Sequence, residues 1–172
     1  MQFFNLNESS FLITWNQNLD SNLTNLLTSY RNIIMSICGD DIQDCVQSIK
    51  SLLVIINNNG SSIKKIIEKI KMIDPKKINI KNKKIKVWKI PVCYDLEFAP
   101  DIKAVSDLNN ISIQDLIEIH LSKTYDVLSM GFLPGFMYLG KTDNRIHCER
   151  KVKPSLNIKK GSIGLALNQT CI

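Results

Sequence analysis

Apolar side chains recur at alternate positions near the start of the chain, at Phe11, Ile13 and Trp15. A period of two is the signature of a half-buried strand, and residues 2–6 offer a second short apolar stretch ahead of it. The period then changes. Leu23, Leu26, Leu27, Tyr30, Ile33, Ile34 and Ile37 follow helical spacing, with Asn18, Asp20 or Ser21 available to cap the start and Cys38-Gly39 to end it. Residues 45–49 and 52–56 read as two strands, and Asn57-Asn58-Asn59-Gly60 as a turn. Ser61 or Ser62 then caps a helix carrying Ile63, Ile66, Ile67, Ile70 and Ile73 on one face, which Pro75 stops. The order β-β-α-β-β-α describes a small α+β domain.

A second unit is expected to open with a strand over residues 85–92. A short helix after Pro100-Asp101 carries Ile102, Val105 and Leu108. Ser112 with Asp115 forms the pattern of a capping box for a helix over 113–121. From Tyr125 onward the texture differs: five of the seven glycines lie between Gly131 and Gly164, which implies tight turning or close approach of backbone. The expected domains are 1–82, an α+β domain with a basic linker, and 83–172, strands joined by structured loops.

Composition adjusts this picture in two places. The net charge of +6 would suit a nucleic-acid partner, but Ile, Asn and Lys supply 62 of 172 residues against three Arg and three Ala. A compositional skew of that kind raises Lys without any demand for phosphate contacts, where the planar fork of Arg would be preferred. The charge is therefore read as a solvated surface, with no nucleic-acid partner expected. The apolar runs are far shorter than the roughly 20 residues a membrane helix needs. The first residues lack a basic segment followed by an apolar one, so the expectation is a soluble cytoplasmic protein without a membrane partner. Five cysteines without a C-x-x-C pair point to reduced thiols, and no metal site is expected.

The candidate chemistry sits in the last third. Gly135 to Thr142 fits G-x-x-x-x-G-K-[ST], but no helical period follows it, and bulky residues fill the interior positions where a phosphate would sit. It is read as a coincidence. His120 lies on the apolar face of its helix, three and four residues from Ile117 and Leu116, and is either a satisfied core histidine or a site residue. Arg145, Arg150, Lys151 and Lys153 form either an anion site or an ordinary exposed basic stretch. Phe132, Phe136, Met137 and Tyr138 line a pocket or belong to the core.

The runs His120-x4-Tyr125-x-Val127 and Gly131-Phe132-x-Pro134-Gly135-Phe136-x-Tyr138-Leu139-Gly140 resemble the family of the 5-oxoprolinase B subunit, which includes the sporulation kinase A inhibitor and subunit 1 of allophanate hydrolase. Arg150-Lys151-x-x-Pro154, Gly161-Ser162-Ile163-Gly164-x-Ala166 and Gln169-Thr170 continue the likeness, as do Ile90 to Tyr94 and Phe98-x-Pro100-Asp101 upstream. The resemblance implies an N-terminal α+β domain followed by a cyclophilin-like β-barrel. It also implies a protein that opens 5-oxoproline to glutamate with ATP, acting with the A and C subunits of 5-oxoprolinase as partners. By position it assigns His120 and Arg150 as catalytic. Gly131, Phe132, Pro134, Gly135, Pro154, Gly161, Gln169 and Thr170 are its pocket residues, and ATP is bound through the complex. An inhibitor of a histidine kinase, or a truncated remnant, are the alternatives. The chain departs from the family pattern at Ser155, Lys159-Lys160, Leu167 and Cys171. Because members continue beyond the Gln-Thr segment, the barrel is expected to be C-terminally incomplete.

Overall fold

A computed structural model describes residues 1–18, 20–57, 62–78 and 86–172, apart from the side chain of Lys76. The chain divides into two compact units: Met1–Lys83 with Leu128–Gly131, and Lys84–Val127 with Phe132–Ile172.

The first unit contains β1 (Gln2–Asn7), β2 (Ser10–Thr14), α1 (Ser21–Cys38), β3 (Ile42–Gln47), β4 (Ser51–Ile56) and α2 (Ile63–Lys71), the order read from the period changes. Its strands form one antiparallel sheet in the order β1-β2-β4-β3. Alternation sends Phe11, Ile13, Leu52, Val54, Ile56 and Cys45 to one face, where they are buried with Leu23, Leu27, Tyr30 and Ile34 of α1 and Ile66 and Ile70 of α2. Each fully buried aliphatic or aromatic side chain of this layer contributes about 1.5–3 kcal/mol. Trp15 meets Tyr30 edge-on with ring centroids 5.2 Å apart. The opposite face of the sheet carries a cross-strand row, since Phe4 pairs with Leu12, Leu12 with Leu53 and Leu53 with Val46.

Local chemistry sets the helix ends. Asp20 caps α1, its Oδ1 accepting from Leu23 N–H at 2.8 Å, and Gly39 ends it at φ 48°, a left-handed conformation that costs glycine little. Ser62 caps α2 through Lys65 N–H. Ser61 and the turn residues Asn58 to Gly60 lie outside the described residues.

The second unit contains α3 (Ile102–Leu108) and α4 (Ile113–Leu121). A second sheet is built from β5 (Val127–Met130), β6 (Met137–Lys141), β7 (Gly164–Ala166) and β8 (Gln169–Cys171), in the order β5-β6-β8-β7. The protein is thus α+β with two antiparallel sheets. The second sheet is open, not a closed barrel, among the described residues. The strand expected over 85–92 is not formed in its described part, 86–92. Val87, Trp88 and Ile90 there are exposed, and a β-prone stretch becomes a strand only where a neighbour pairs with it and covers one face.

Candidate functional site

The site is built on α4. Ser112 Oγ accepts from Asp115 N–H at 3.0 Å while Asp115 Oδ2 accepts from Ser112 N–H at 3.4 Å, so the capping box seen in the sequence is formed. With its start fixed, α4 turns Leu116, Ile119 and His120 inward. Leu116 and Ile119 form a small core with Ile102 and Ile146, and His120 is only 7% exposed.

His120 is bonded on both nitrogens. Its Nδ1 lies 2.6 Å from Tyr94 Oη, and its Nε2 lies 3.4 Å from Thr170 Oγ1. Thr170 in turn donates to the Gly164 carbonyl at 3.1 Å. A carbonyl only accepts, so the single hydroxyl proton of Thr170 is committed to Gly164. Thr170 must therefore accept from His120 Nε2–H, which leaves Nδ1 as acceptor for the Tyr94 hydroxyl. Donation runs one way, from Tyr94 through His120 and Thr170 to Gly164. Tyr125 closes the other side, its ring centroid 5.4 Å from that of His120 and its hydroxyl donating to the His120 carbonyl at 2.8 Å.

The electrostatics agree with a neutral imidazole. Burial lowers the His120 pKa below its ordinary value, because desolvation penalises the charged form. Burial likewise raises Tyr94. Tyr125 is pushed up to about 12, by burial first and then by the charges of Tyr94 and Asp143. Both hydroxyls remain protonated donors at neutral pH.

The other sequence candidates lie as follows. Thr170 is 2% exposed and faces His120, whereas Gln169 beside it in β8 projects to the opposite face. Gln169 Nε2 is buried and has no hydrogen-bond partner among the described residues. Gly131, Phe132, Pro134 and Gly135 form an exposed turn with positive φ at Gly131, Phe132 (70°) and Gly135 (84°). Phe132 is 82% exposed, and so is not core. Arg150, Pro154 and Gly161 belong to an exposed segment before β7. Arg150 makes no ion pair among the described residues, while Arg145 is held by Asp143 through Nε at 3.0 Å and Nη2 at 3.1 Å. That pairing holds the Asp143 carboxyl well below the usual range. Lys151 pairs with Asp101 at 2.7 Å. Of the ten candidates the structure brings His120 and Thr170 into one network and does not add Arg150 to it.

Tyr94 enters the sequence argument only through the family resemblance, yet it holds the shortest contact to His120. A tyrosine near a buried histidine is a usable signal, since a buried ring hydroxyl seeks a partner. The stretch Gly135 to Thr142 runs into β6 and then a 3-10 turn at Asn144–Ile146, not into a helix, in line with its sequence. Among the described residues no group of three or more His, Cys, Asp or Glu side chains is placed to hold a metal ion. No described helix is long and apolar enough to cross a membrane.

A protein of Bacillus subtilis (strain 168), named as the B subunit of 5-oxoprolinase, is 42% identical over 85 residues, 49% of this chain and 35% of the relative. Its namesake in Escherichia coli O157:H7 is 37% identical over 81 residues, 47% of this chain and 37% of the relative. The matches thus span little more than a third of those relatives. In fold, the crystal structure of TTHA0988 superposes with a TM-score of 0.75 at 19% identity, covering 95% of this chain and 31% of that one. The K. lactis urea amidolyase gives 0.67 at 14% identity, over 95% of this chain and 11% of that one. The sequence profile described as "Carboxyltransferase domain, subdomain C and D" matches residues 1–172, and the chain belongs to that family.

Proposed function

We propose that the chain acts as a subunit of an ATP-dependent 5-oxoprolinase, opening the 5-oxoproline lactam to glutamate together with the A and C subunits as partners. The observation that carries this reading is the neutral His120 held between Tyr94 Oη and Thr170 Oγ1, in a chain whose curated relatives bear the name of a 5-oxoprolinase subunit. An unstrained lactam is a poor electrophile, so its opening requires managed protons and stabilised negative charge. In this reading His120 fixes the half-buried Tyr94 hydroxyl, where it exchanges a proton with the substrate. Arg150, exposed and without an ion pair among the described residues, steadies developing negative charge. ATP enters through the complex, and the open second sheet is part of a cyclophilin-like barrel.

The test is reconstitution with both partner subunits and measurement of glutamate release. His120→Ala and Arg150→Ala are each expected to lower the rate by about 10²-fold or more. Unchanged rates for both, in complexes that still assemble, overturn the assigned roles. Exposed apolar side chains at Trp88, Leu96, Val152 and Leu156 suit contact with another polypeptide, and they support a second reading, inhibition of a histidine kinase. Slowed kinase autophosphorylation without any 5-oxoproline, together with no glutamate release in the complex, would favour that reading.

A further inference from the structure

The order of protons along Tyr94, His120 and Thr170 decides what the Tyr94 oxygen can offer a ligand. Its anchor is the Gly164 carbonyl, which has no proton to give and accepts from Thr170 Oγ1 at 3.1 Å. Thr170 and His120 are 2% and 7% exposed, so their polar atoms are satisfied by one another and not by solvent. Thr170 therefore presents a lone pair to Nε2 at 3.4 Å, and Nδ1 presents one to Tyr94 Oη at 2.6 Å. The hydrogen bond made by one ring nitrogen sets the protonation of the other.

A phenol has one proton, and the contact with Nδ1 takes it. Burial raises the Tyr94 pKa, so the hydroxyl is not ionised at neutral pH. What remains on Oη is acceptor capacity alone, and no donor among the described residues fills it. Tyr94 is only partly buried, unlike the two side chains behind it.

We propose that Tyr94 is a specificity residue that accepts a hydrogen bond from an N–H of the substrate, and that Thr170, acting through His120, is the positioning residue that keeps it an acceptor. The inference rests on the 5-oxoproline reading above and narrows it. At neutral pH the lactam carbonyl and the carboxylate of that molecule only accept, so its ring N–H is the one group able to meet Tyr94 Oη. The site then selects secondary lactams. A lactone sets a ring-oxygen lone pair against that of Tyr94, and a carbocyclic ketone leaves it unpaired. A site that hydrogen-bonds an N–H rejects analogues lacking one.

The test uses the complex reconstituted with both partner subunits. The kcat/KM for 5-oxoproline is measured beside inhibition constants for 5-oxotetrahydrofuran-2-carboxylate and 3-oxocyclopentane-1-carboxylate, in which O or CH2 replaces N–H. Wild type is expected to hold both analogues about 10- to 100-fold more weakly than 5-oxoproline. Tyr94→Phe is expected to lower kcat/KM for 5-oxoproline by a similar factor without weakening either analogue. Thr170→Val keeps the shape but removes the acceptor for Nε2–H, so the imidazole proton can move to Nδ1 and Tyr94 can donate. It is expected to tighten the lactone and not the carbocycle. Equal losses for all three ligands in Tyr94→Phe, or an unchanged lactone constant in Thr170→Val, overturn the proposal and leave the 5-oxoproline reading standing. Should Thr170→Val fail to assemble, the Tyr94→Phe comparison decides alone. An assembled wild-type complex that releases no glutamate defeats that reading, and the proposal with it.

Discussion

Gly164 and Cys171 face one another across the β7–β8 pair, and a Cβ placed on Gly164 would come within 2.8 Å of Cys171 Sγ. The Cys171 thiol thus occupies room that Gly164 leaves free. Gly164→Ala should therefore cost about 1–3 kcal/mol by overpacking. In a Cys171→Ala background the same change should cost much less. Urea unfolding of the four proteins measures the coupling, and equal costs in both backgrounds would show that the two positions do not compete for space.

Leu167 makes the opposite prediction. It opens the two-residue connection between β7 and β8 at φ 54°, in the first loop position, where a hairpin turn with positive φ wants glycine. A left-handed conformation costs a side-chain-bearing residue about 1–2 kcal/mol, part of which the greater entropy of unfolded glycine offsets. Leu167→Gly should raise the urea midpoint by the equivalent of about 0.5–1 kcal/mol; a lowered midpoint would mean that the half-exposed leucine packs more than its exposure indicates.

His120 predicts a pH dependence with a definite sign. Its pKa in the folded chain lies below the ordinary 6.5, so between the two values the unfolded state binds more protons and stability rises with pH. The contribution is complete above the unfolded value and is lost as pH falls through it toward the folded one. Unfolding midpoints measured at intervals from neutral to mildly acidic pH should fall below about pH 6.5, and His120→Gln should flatten that part of the curve. A His120→Gln profile parallel to wild type would assign the slope to other groups.

Ser112 tests how α4 is set. Ser112→Ala removes the acceptor for Asp115 N–H and should cost about 1 kcal/mol. In amide exchange the loss should be largest in the first turn of α4. Uniform loss over the whole chain would separate the cap from His120 positioning.

Arg150→Ala should leave stability within about 0.5 kcal/mol of wild type, because the side chain is exposed and unpaired among the described residues. Any loss of glutamate release in that variant then reports on function, not folding. A clearly lowered thermal midpoint would reveal a structural role.

Much of the first unit is legible in the sequence because each of its elements repeats one period long enough to be unambiguous. Ile63, Ile66, Ile67 and Ile70 declare a helix, and Phe11, Ile13 and Trp15 a strand. The second unit is harder to read because its strands β6, β7 and β8 are three to five residues long, too short for a period. Lys86 to Val92 has strand composition but no sheet neighbour among the described residues, a tertiary fact that local pattern does not carry. Spacing alone puts His120 on the inward face, yet the tyrosine bonding it lies 26 positions away in a stretch with no helical or strand register. Gln169 and Thr170 are adjacent in the motif, but the pleat sends them to opposite faces.

The Arg31 and Asp44 contacts at Cys45 have a consequence for how far association can go. A sheet open on both borders offers each newcomer another place to add, and growth then runs on into a filament. With β3 plugged at Cys45, whose N–H meets Asp44 and whose carbonyl meets Arg31, that border of the first sheet offers an added strand no free backbone group at this position. Loss of the Arg31 guanidinium would remove part of that stopper and leave the Cys45 carbonyl open to an added strand.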